Sequence, residues 1–344
     1  MKSSKKLIGA SVALVAALAV SVGTTYAWFT TNKKVSVENI QASVTTGDSN
    51  LEVALVSDKG EVGTFGYSLD LGSALSTTLA NLKFDALTDN GALTSGSWAG
   101  SGKNGLALTN KAGETTNVTA ASATAEGSYL QFTLRFRTTT ATEGAKSFPL
   151  YLTDASTVTS TAEGTKITNI YASENINATD TADTVTIAKG SKAEAKAENA
   201  MRIAFHEAEV TLASGEGPAN GSVAAKANTG KVWEPNADQG WGAATYTKNM
   251  AQLVEEQLTG ATANSLAGLY KDPAYTALTP YSASATTNGQ IVSMTEPTTK
   301  DGYFYADVQI IIWLEGTDED CFNNIFDQKV TIGLNFQLGD AVTA

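Results

Sequence analysis

Two stretches near the C-terminus alternate apolar residues with period two, and that period limits the fold more than any other feature of the chain. In FYADVQIIIWL, Phe304, Ala306, Val308, Ile310, Ile312 and Leu314 share one parity, while Ile311 and Trp313 are apolar on the other. In KVTIGLNFQL, Val330, Ile332, Leu334, Phe336 and Leu338 alternate with Lys329, Thr331, Gly333, Asn335 and Gln337. Successive side chains of a strand point to opposite faces, so both stretches predict strands with a greasy face. The residues between them suffice for a capped turn or short helix, so the two strands either pair or cross between sheets.

The same period recurs upstream. Leu130, Phe132, Leu134 and Phe136 alternate with Gln131, Thr133, Arg135 and Arg137, which predicts one buried and one wet face. Phe148, Leu150 and Leu152 begin another strand, residues 183–189 a further one, and Met201, Ile203 and Phe205 alternate with Arg202, Ala204 and His206 in a half-buried one. Leu51, Val53 and Leu55 follow the turn at Gly47-Asp48. Near the start, Val35 and Val37 have one parity and Ile40, Ala42 and Val44 the other, a phase change that predicts a β-bulge near Glu38-Asn39. The pattern loosens over 63–128 and 212–300, read as loop-rich insertions. Short helices are expected near Ser73–Leu82, over the Ala/Lys/Glu-rich Ser191–Ala200, and within Tyr246–Leu258. One-faced strands with long connections are most economically buried as an all-β, two-sheet antiparallel sandwich of jelly-roll type with loop-rich and short helical insertions.

The first residues have a different character. Lys2, Lys5 and Lys6 precede an uncharged apolar run from Leu7 to Val22, and Thr25-Tyr26-Ala27 puts small residues at −3 and −1. This is the layout of a secretory signal peptide. The run falls short of the roughly 20 residues a spanning helix needs. The expected organisation is a signal peptide over 1–27, cut between Ala27 and Trp28, and a β domain over 28–344. An uncleaved membrane anchor is the alternative, and it predicts a chain that stays with the membrane.

GTTYA followed directly by WFT, a short basic turn and an alternating strand resembles the start of the TasA/camelysin family of secreted Firmicutes matrix proteins. In that family an aromatic or small residue, a Phe and a polar turn follow the cut, positions held here by Trp28, Phe29 and Thr30. The resemblance implies export through a dedicated signal peptidase, a jelly-roll domain and a place in matrix fibres.

Charge narrows the partners. The chain carries 23 basic and 35 acidic residues, and three of the lysines lie in the leader, so the mature protein is more acidic than the full-length balance of −12. Such a surface repels phosphate backbones and anionic headgroups, so no nucleic acid is expected, and membrane contact only through the signal peptide. Cys321 is the single cysteine, which rules out a disulfide within the chain and reads as a small buried hydrophobe.

Chemistry is sparse. His206 is the only histidine, and it precedes Glu207. The camelysin branch of the resembled family is reputed to be metallopeptidase, but a zincin needs a second imidazole four residues on, where Val210 stands. A solvent-facing strand histidine is the expectation. Gly66-Tyr67-Ser68-Leu69-Asp70 lacks the closing glycine of a nucleophile elbow, and GSWAGSGKN departs from a phosphate loop in spacing and in Asn104. Glu315, Asp318 and Asp320 are calcium candidates without a recognised spacing, and helix capping accounts for such acids equally well. No enzyme activity and no cofactor are expected.

The leading expectation is a secreted structural protein of the cell surface or biofilm matrix. Its fibres would grow by N-terminal donor-strand addition onto copies of itself. Trp28, Phe29, Val35 and Val37 are assigned to docking, with Ile40, Ala42 and Val44 held more firmly. The competing reading makes this stretch the first strand of its own sandwich. A monomeric adhesin that binds through its Gly/Ser/Thr-rich insertions is the alternative function.

Overall fold

A computed structural model describes residues 35–44, 50–89, 108–109, 118–139, 143–160, 165–168, 176–179, 184–187, 192–208, 210–218, 230–235, 276–282, 289–298, 300–315 and 328–343. The chain begins with β1 (Ser36–Val44), β2 (Glu52–Val56) and β3 (Ser68–Asp70). Two short helices follow, α1 (Leu71–Ala74) and α2 (Ser76–Ala80), then β4 (Ala86–Asp89) and β5 (Leu108–Thr109). The middle holds β6 (Leu130–Thr139), β7 (Ala145–Leu152), β8 (Thr157–Ser160), β9 (Thr165–Thr168), β10 (Ile176–Thr179), β11 (Thr184–Ile187) and β12 (Lys192–Ala195). The remainder is β13 (Met201–Glu207), β14 (Lys231–Trp233), β15 (Thr276–Ala277), β16 (Gln290–Thr295), β17 (Tyr303–Glu315), β18 (Lys329–Leu338) and β19 (Val342–Thr343). The protein is all-β, with helix confined to the single turns α1 and α2 among the described residues.

Among the described residues, fifteen strands form one continuous sheet, with two separate strand pairs, β10–β11 and β9–β12. β17 is its spine. Tyr303–Ile312 runs antiparallel to β6, and Val308–Leu314 runs antiparallel to β13 on the other edge. β2 extends this half beyond β6, and β14 and β15 extend it beyond β13. The other half runs β16-β7-β18-β1-β3, with β8 beside the start of β18 and β19 beside β7. The halves join at the rung Thr295 opposite Tyr305, and they meet again where Gly66, just before β3, bridges Val53 of β2, so the sheet nearly closes. The sheet curls back at Thr295, so that the inner faces meet. Phe336 of β18 stands edge-on to Phe136 of β6 at 4.9 Å and 6.3 Å from Phe205 of β13. Phe148 of β7 meets Phe304 of β17 edge-on at 5.0 Å. Edge-to-face geometry is what the ring quadrupoles favour, so these contacts both fill and orient the core.

The expected strands at 130–136, 148–152, 201–206, 304–314 and 330–338 are all present, and their apolar parities line this core. β17 and β18 do not pair with each other; they belong to the two facing halves. Several expectations are corrected. β13 has no wet face, and the outer parity of β6 is only half-exposed, with Arg135 within it buried. Every residue of β13 is buried, with Leu87, Leu108 and Tyr129 forming a second apolar cluster on the outer side with Ala204, Val232, Ile311 and Trp313; Arg135 of β6 is buried under Tyr305 and the Pro218 carbonyl. The 63–128 region is therefore structural cover as well as surface loop. Within 191–200, residues 192–195 form β12, paired with β9, and not a helix. A run that short nucleates helix poorly, and a strand partner decides the outcome. Pairing is also not purely antiparallel: β1–β18, β14–β15 and β17–β4 are parallel. β1 and β18 come from opposite ends of the chain, so no hairpin dictates their direction. The proposed 246–258 helix lies outside the described residues.

The bulge is where the phase change placed it. Val37 pairs with Val330 and Asn39 with Thr331, leaving Glu38 without a register partner. That extra residue lets Val35 and Val37 face the core together with Ile40, Ala42 and Val44. Deleting Glu38 restores strict alternation and turns the two valines outward. At about 1.5–3 kcal/mol for each buried valine, the expected loss is about 3–6 kcal/mol. A lowered urea midpoint at unchanged slope is the result that checks it.

Candidate functional site

The residues assigned to docking divide in two. Trp28 and Phe29, with the Ala27–Trp28 cut, lie outside the described residues. Val35, Val37, Ile40, Ala42 and Val44 are brought together, but as part of this chain's own core and not as a free end. β1 lies parallel to β18 from Ser36 opposite Lys329 to Val44 opposite Phe336, and Val35 bridges to Phe84. Only Gln41–Ser43 pairs with β3 on its other edge, extended by Val44 N–H donating to the Tyr67 carbonyl at 3.0 Å. The opposite edge of β18 is taken by β8 over Val330–Gly333 and by β7 over Phe336–Leu338. β1 thus occupies a slot with an apolar floor and a long hydrogen-bonding wall.

The rim of that slot is polar. Asn335 Nδ2 donates to Ser43 Oγ at 3.0 Å, and Thr153 Oγ1 donates to Asn335 Oδ1 at 3.0 Å. Asn335 N–H donates to Ser156 Oγ at 2.9 Å. Glu38, at the bulge, approaches Lys329 at 3.5 Å in an exposed pair. Exposed pairs contribute little, so the apolar row and the backbone ladder hold β1.

Of the chemical candidates only His206 and Glu315 are described, and they lie apart on β13 and at the end of β17. His206 sits on β13 opposite Gln309 and is buried, not solvent-facing, because the outer face of β13 is covered. Glu315 is fully buried at the end of β17 and accepts from the Trp313 indole Nε1 at 3.0 Å. Asp318, Asp320 and Cys321 lie outside the described residues. Among the described residues no three His, Cys, Asp or Glu side chains are grouped to hold a metal, and no helix is long and apolar enough to cross a membrane.

A charged row on the outer face of β6, β17 and β13, buried at Arg135, Asp307 and Arg202 and half-buried at Arg137, was not expected from the sequence. Register explains it: Arg137 stands opposite Tyr305, Arg135 opposite Asp307, and Arg202 opposite Trp313. Arg202 pairs with Glu234 at 2.8 Å. The Arg137 guanidinium lies 3.9 Å from the Phe65 ring centroid and 4.8 Å from that of Tyr303, and its Nε is 2.6 Å from Glu52. Arg135 stacks over Tyr305 at 4.4 Å and holds its Nε 3.8 Å from Asp307 Oδ1, with each residue 1% exposed. The one sequence signal was the apolar pair Ile311 and Trp313 on the supposedly wet parity of β17.

The electrostatics of that pair are strained. Burial pushes the Asp307 carboxyl up to about 6; Arg135 pulls it down and Glu207 pushes it up again. Burial, then the hydrogen bond to Asp301, pushes the Tyr305 phenol well above its ordinary range. A carboxyl raised in the folded state stabilises the fold below its unfolded value. That contribution is lost as pH rises through about 6.

Arg135→Met removes the cation and strands the carboxylate. At pH 7.5 the expected cost is about 3–5 kcal/mol, the usual penalty for breaking a buried pair from one side. At pH 5, where Asp307 takes up a proton, the cost should shrink. Urea unfolding of both proteins at the two pH values measures the difference, and an equal cost at both would refute the account.

Comparison with known proteins returned no matching family, no matching curated protein and no matching solved structure.

Proposed function

We propose that the chain is a secreted structural protein of the cell surface or biofilm matrix, of the TasA/camelysin kind, and that its copies assemble into fibres by exchanging β1. The carrying observation is the seating of β1. It is the first described strand, five of its neighbouring apolar side chains fill the core, and its ladder is made with a strand from the far end of the chain. A second copy could supply the same strand to the same slot with the same contacts. Exchange of an identical element costs little, and a head-to-tail exchange propagates without closing.

Edge geometry favours exchange over simple addition. Among the described residues, the second edge of β2 is taken by the returning chain, with Val53 bridged to Gly66 and Val56 to Val62. β3 and β15 are three and two residues long. Blunted edges of this kind resist pairing with another molecule. The reading also takes the two facing halves as the sheets of a jelly-roll sandwich. It is supported by the Phe336, Phe136 and Phe205 cluster and by the corner at Thr295.

Ser43 and Asn335 are register partners on the rim. With Cys321→Ser as background, Ser43→Cys plus Asn335→Cys places one thiol on β1 and one on its slot. Oxidising the monomer should lock β1 at home and prevent fibres in negative-stain micrographs, and reduction should restore them. Oxidising preformed fibres should give a ladder of multimers on a non-reducing gel. Fibres that run as monomers after oxidation would sink the exchange mechanism, and particles that never polymerise would favour the monomeric adhesin.

A further inference from the structure

Residues 210–218 leave the end of β13 and cross the outer face to the turn after β2. Ala213 N–H donates to the Gly60 carbonyl at 3.0 Å, and Val62 N–H donates to Glu216 Oε2 at 3.2 Å. Gly60 has φ +77°, and a Cβ there would meet the Thr211 carbonyl oxygen at 2.2 Å, so only glycine permits the approach. The segment returns to β6, where Arg135 Nη2 donates to the Pro218 carbonyl. None of its residues is fully buried. Beneath it lies the Arg135–Asp307 pair, in which Arg135 Nη1 and Asp307 Oδ1 are out of solvent and make no hydrogen bond.

We propose that residues 210–218 are a latch that lifts locally from the Arg135–Asp307 pair, and that the charge on Asp307 sets how often it lifts. Two features make lifting cheap. Little apolar surface is given up, since the latch is anchored by hydrogen bonds and not by buried side chains. Two orphaned buried polar groups regain water, which relieves a cost that closure imposes.

The direction with pH follows from the groups around Asp307. Arg135 on β6 faces it, with Arg137 one rung further along; Glu207 and His206 lie on β13, Tyr305 precedes it on β17, and Glu216 on the latch is engaged by Val62. In the closed state burial outweighs Arg135 and holds the carboxyl near 6, whereas water in the lifted state returns it toward 3.8. The closed state therefore binds the proton more tightly. Acidification closes the latch and a rise through pH 6 loosens it. This inference is independent of strand exchange, which concerns β1 and β18.

Hydrogen exchange on the full-length chain, read by mass spectrometry between pH 5 and pH 8 and corrected for intrinsic exchange, tests it. Peptides covering 210–218 and 60–63 should lose about tenfold in protection over that range, as two proton affinities so separated require. Peptides from the β6–β17 ladder should not change. Asp307→Asn should hold the latch at its acidic level throughout. Glu207→Gln, which removes a neighbouring charge, should move the midpoint to lower pH and decides the matter if the first variant does not fold. Protection that stays flat in the wild type, or a midpoint unmoved by Glu207→Gln, overturns the proposal.

Discussion

Burial of β17 on both faces is the constraint the rest of the structure satisfies. Its inner parity, Phe304 through Leu314, meets the facing half of the sheet, while its outer parity carries Ile311 and Trp313 into a second cluster. Burying side chains of that size contributes about 1.5–3 kcal/mol each, so both faces favour being covered. Covering the outer face has a cost that the inner one does not. The outer parity also holds Asp307 and Glu315, and the strands beside it bring Arg135, Arg202 and His206. Each must find a partner out of water. Trp313 supplies one for Glu315 and Glu234 one for Arg202; Asp307 and Arg135 find each other at a distance that leaves atoms unsatisfied.

This explains which parts of the fold were legible in the sequence. Inner faces were, because one row of side chains packing on one core writes a period of two into the chain, and the bulge at Glu38 shows as a slip in that period. The outer cover was not. It is assembled from Leu87, Leu108 and Tyr129, which lie in stretches too irregular to carry a period. Arg135 and His206 are buried although alternation places both on a wet face. Residues 192–195 have helical composition and became strand because β9 lies alongside, a contact that no local window contains. The direction of β1 was equally hidden, since its partner lies at the other end of the chain.

The Arg135–Asp307 pair illustrates how little a buried ion pair stabilises when its geometry is poor. Its desolvation cost is repaid only by good contact and by satisfied remaining groups, and neither condition holds here. The raised Asp307 carboxyl is the same statement in protonic terms: the surroundings favour the neutral acid. A segment fastened over such a pair is held against a local cost, so the weakness of the latch and the perturbation of the carboxyl share one cause.

The placement of β1 adds a kinetic side to the proposed assembly. Its rungs join residues near 36–44 to residues 329–336, so completing the slot requires closing a loop of almost three hundred residues. Contacts of such sequence separation form late. At that moment the chain's own β1 and that of a neighbour compete for one vacancy with identical chemistry. The tether gives the resident strand an effective concentration on the order of millimolar, so dilute chains should complete themselves. Polymerisation by exchange would then require crowding at the cell surface, or some influence that disfavours the resident strand. The residues preceding β1, created as a new terminus by cleavage in the proposed pathway, are where such an influence could act.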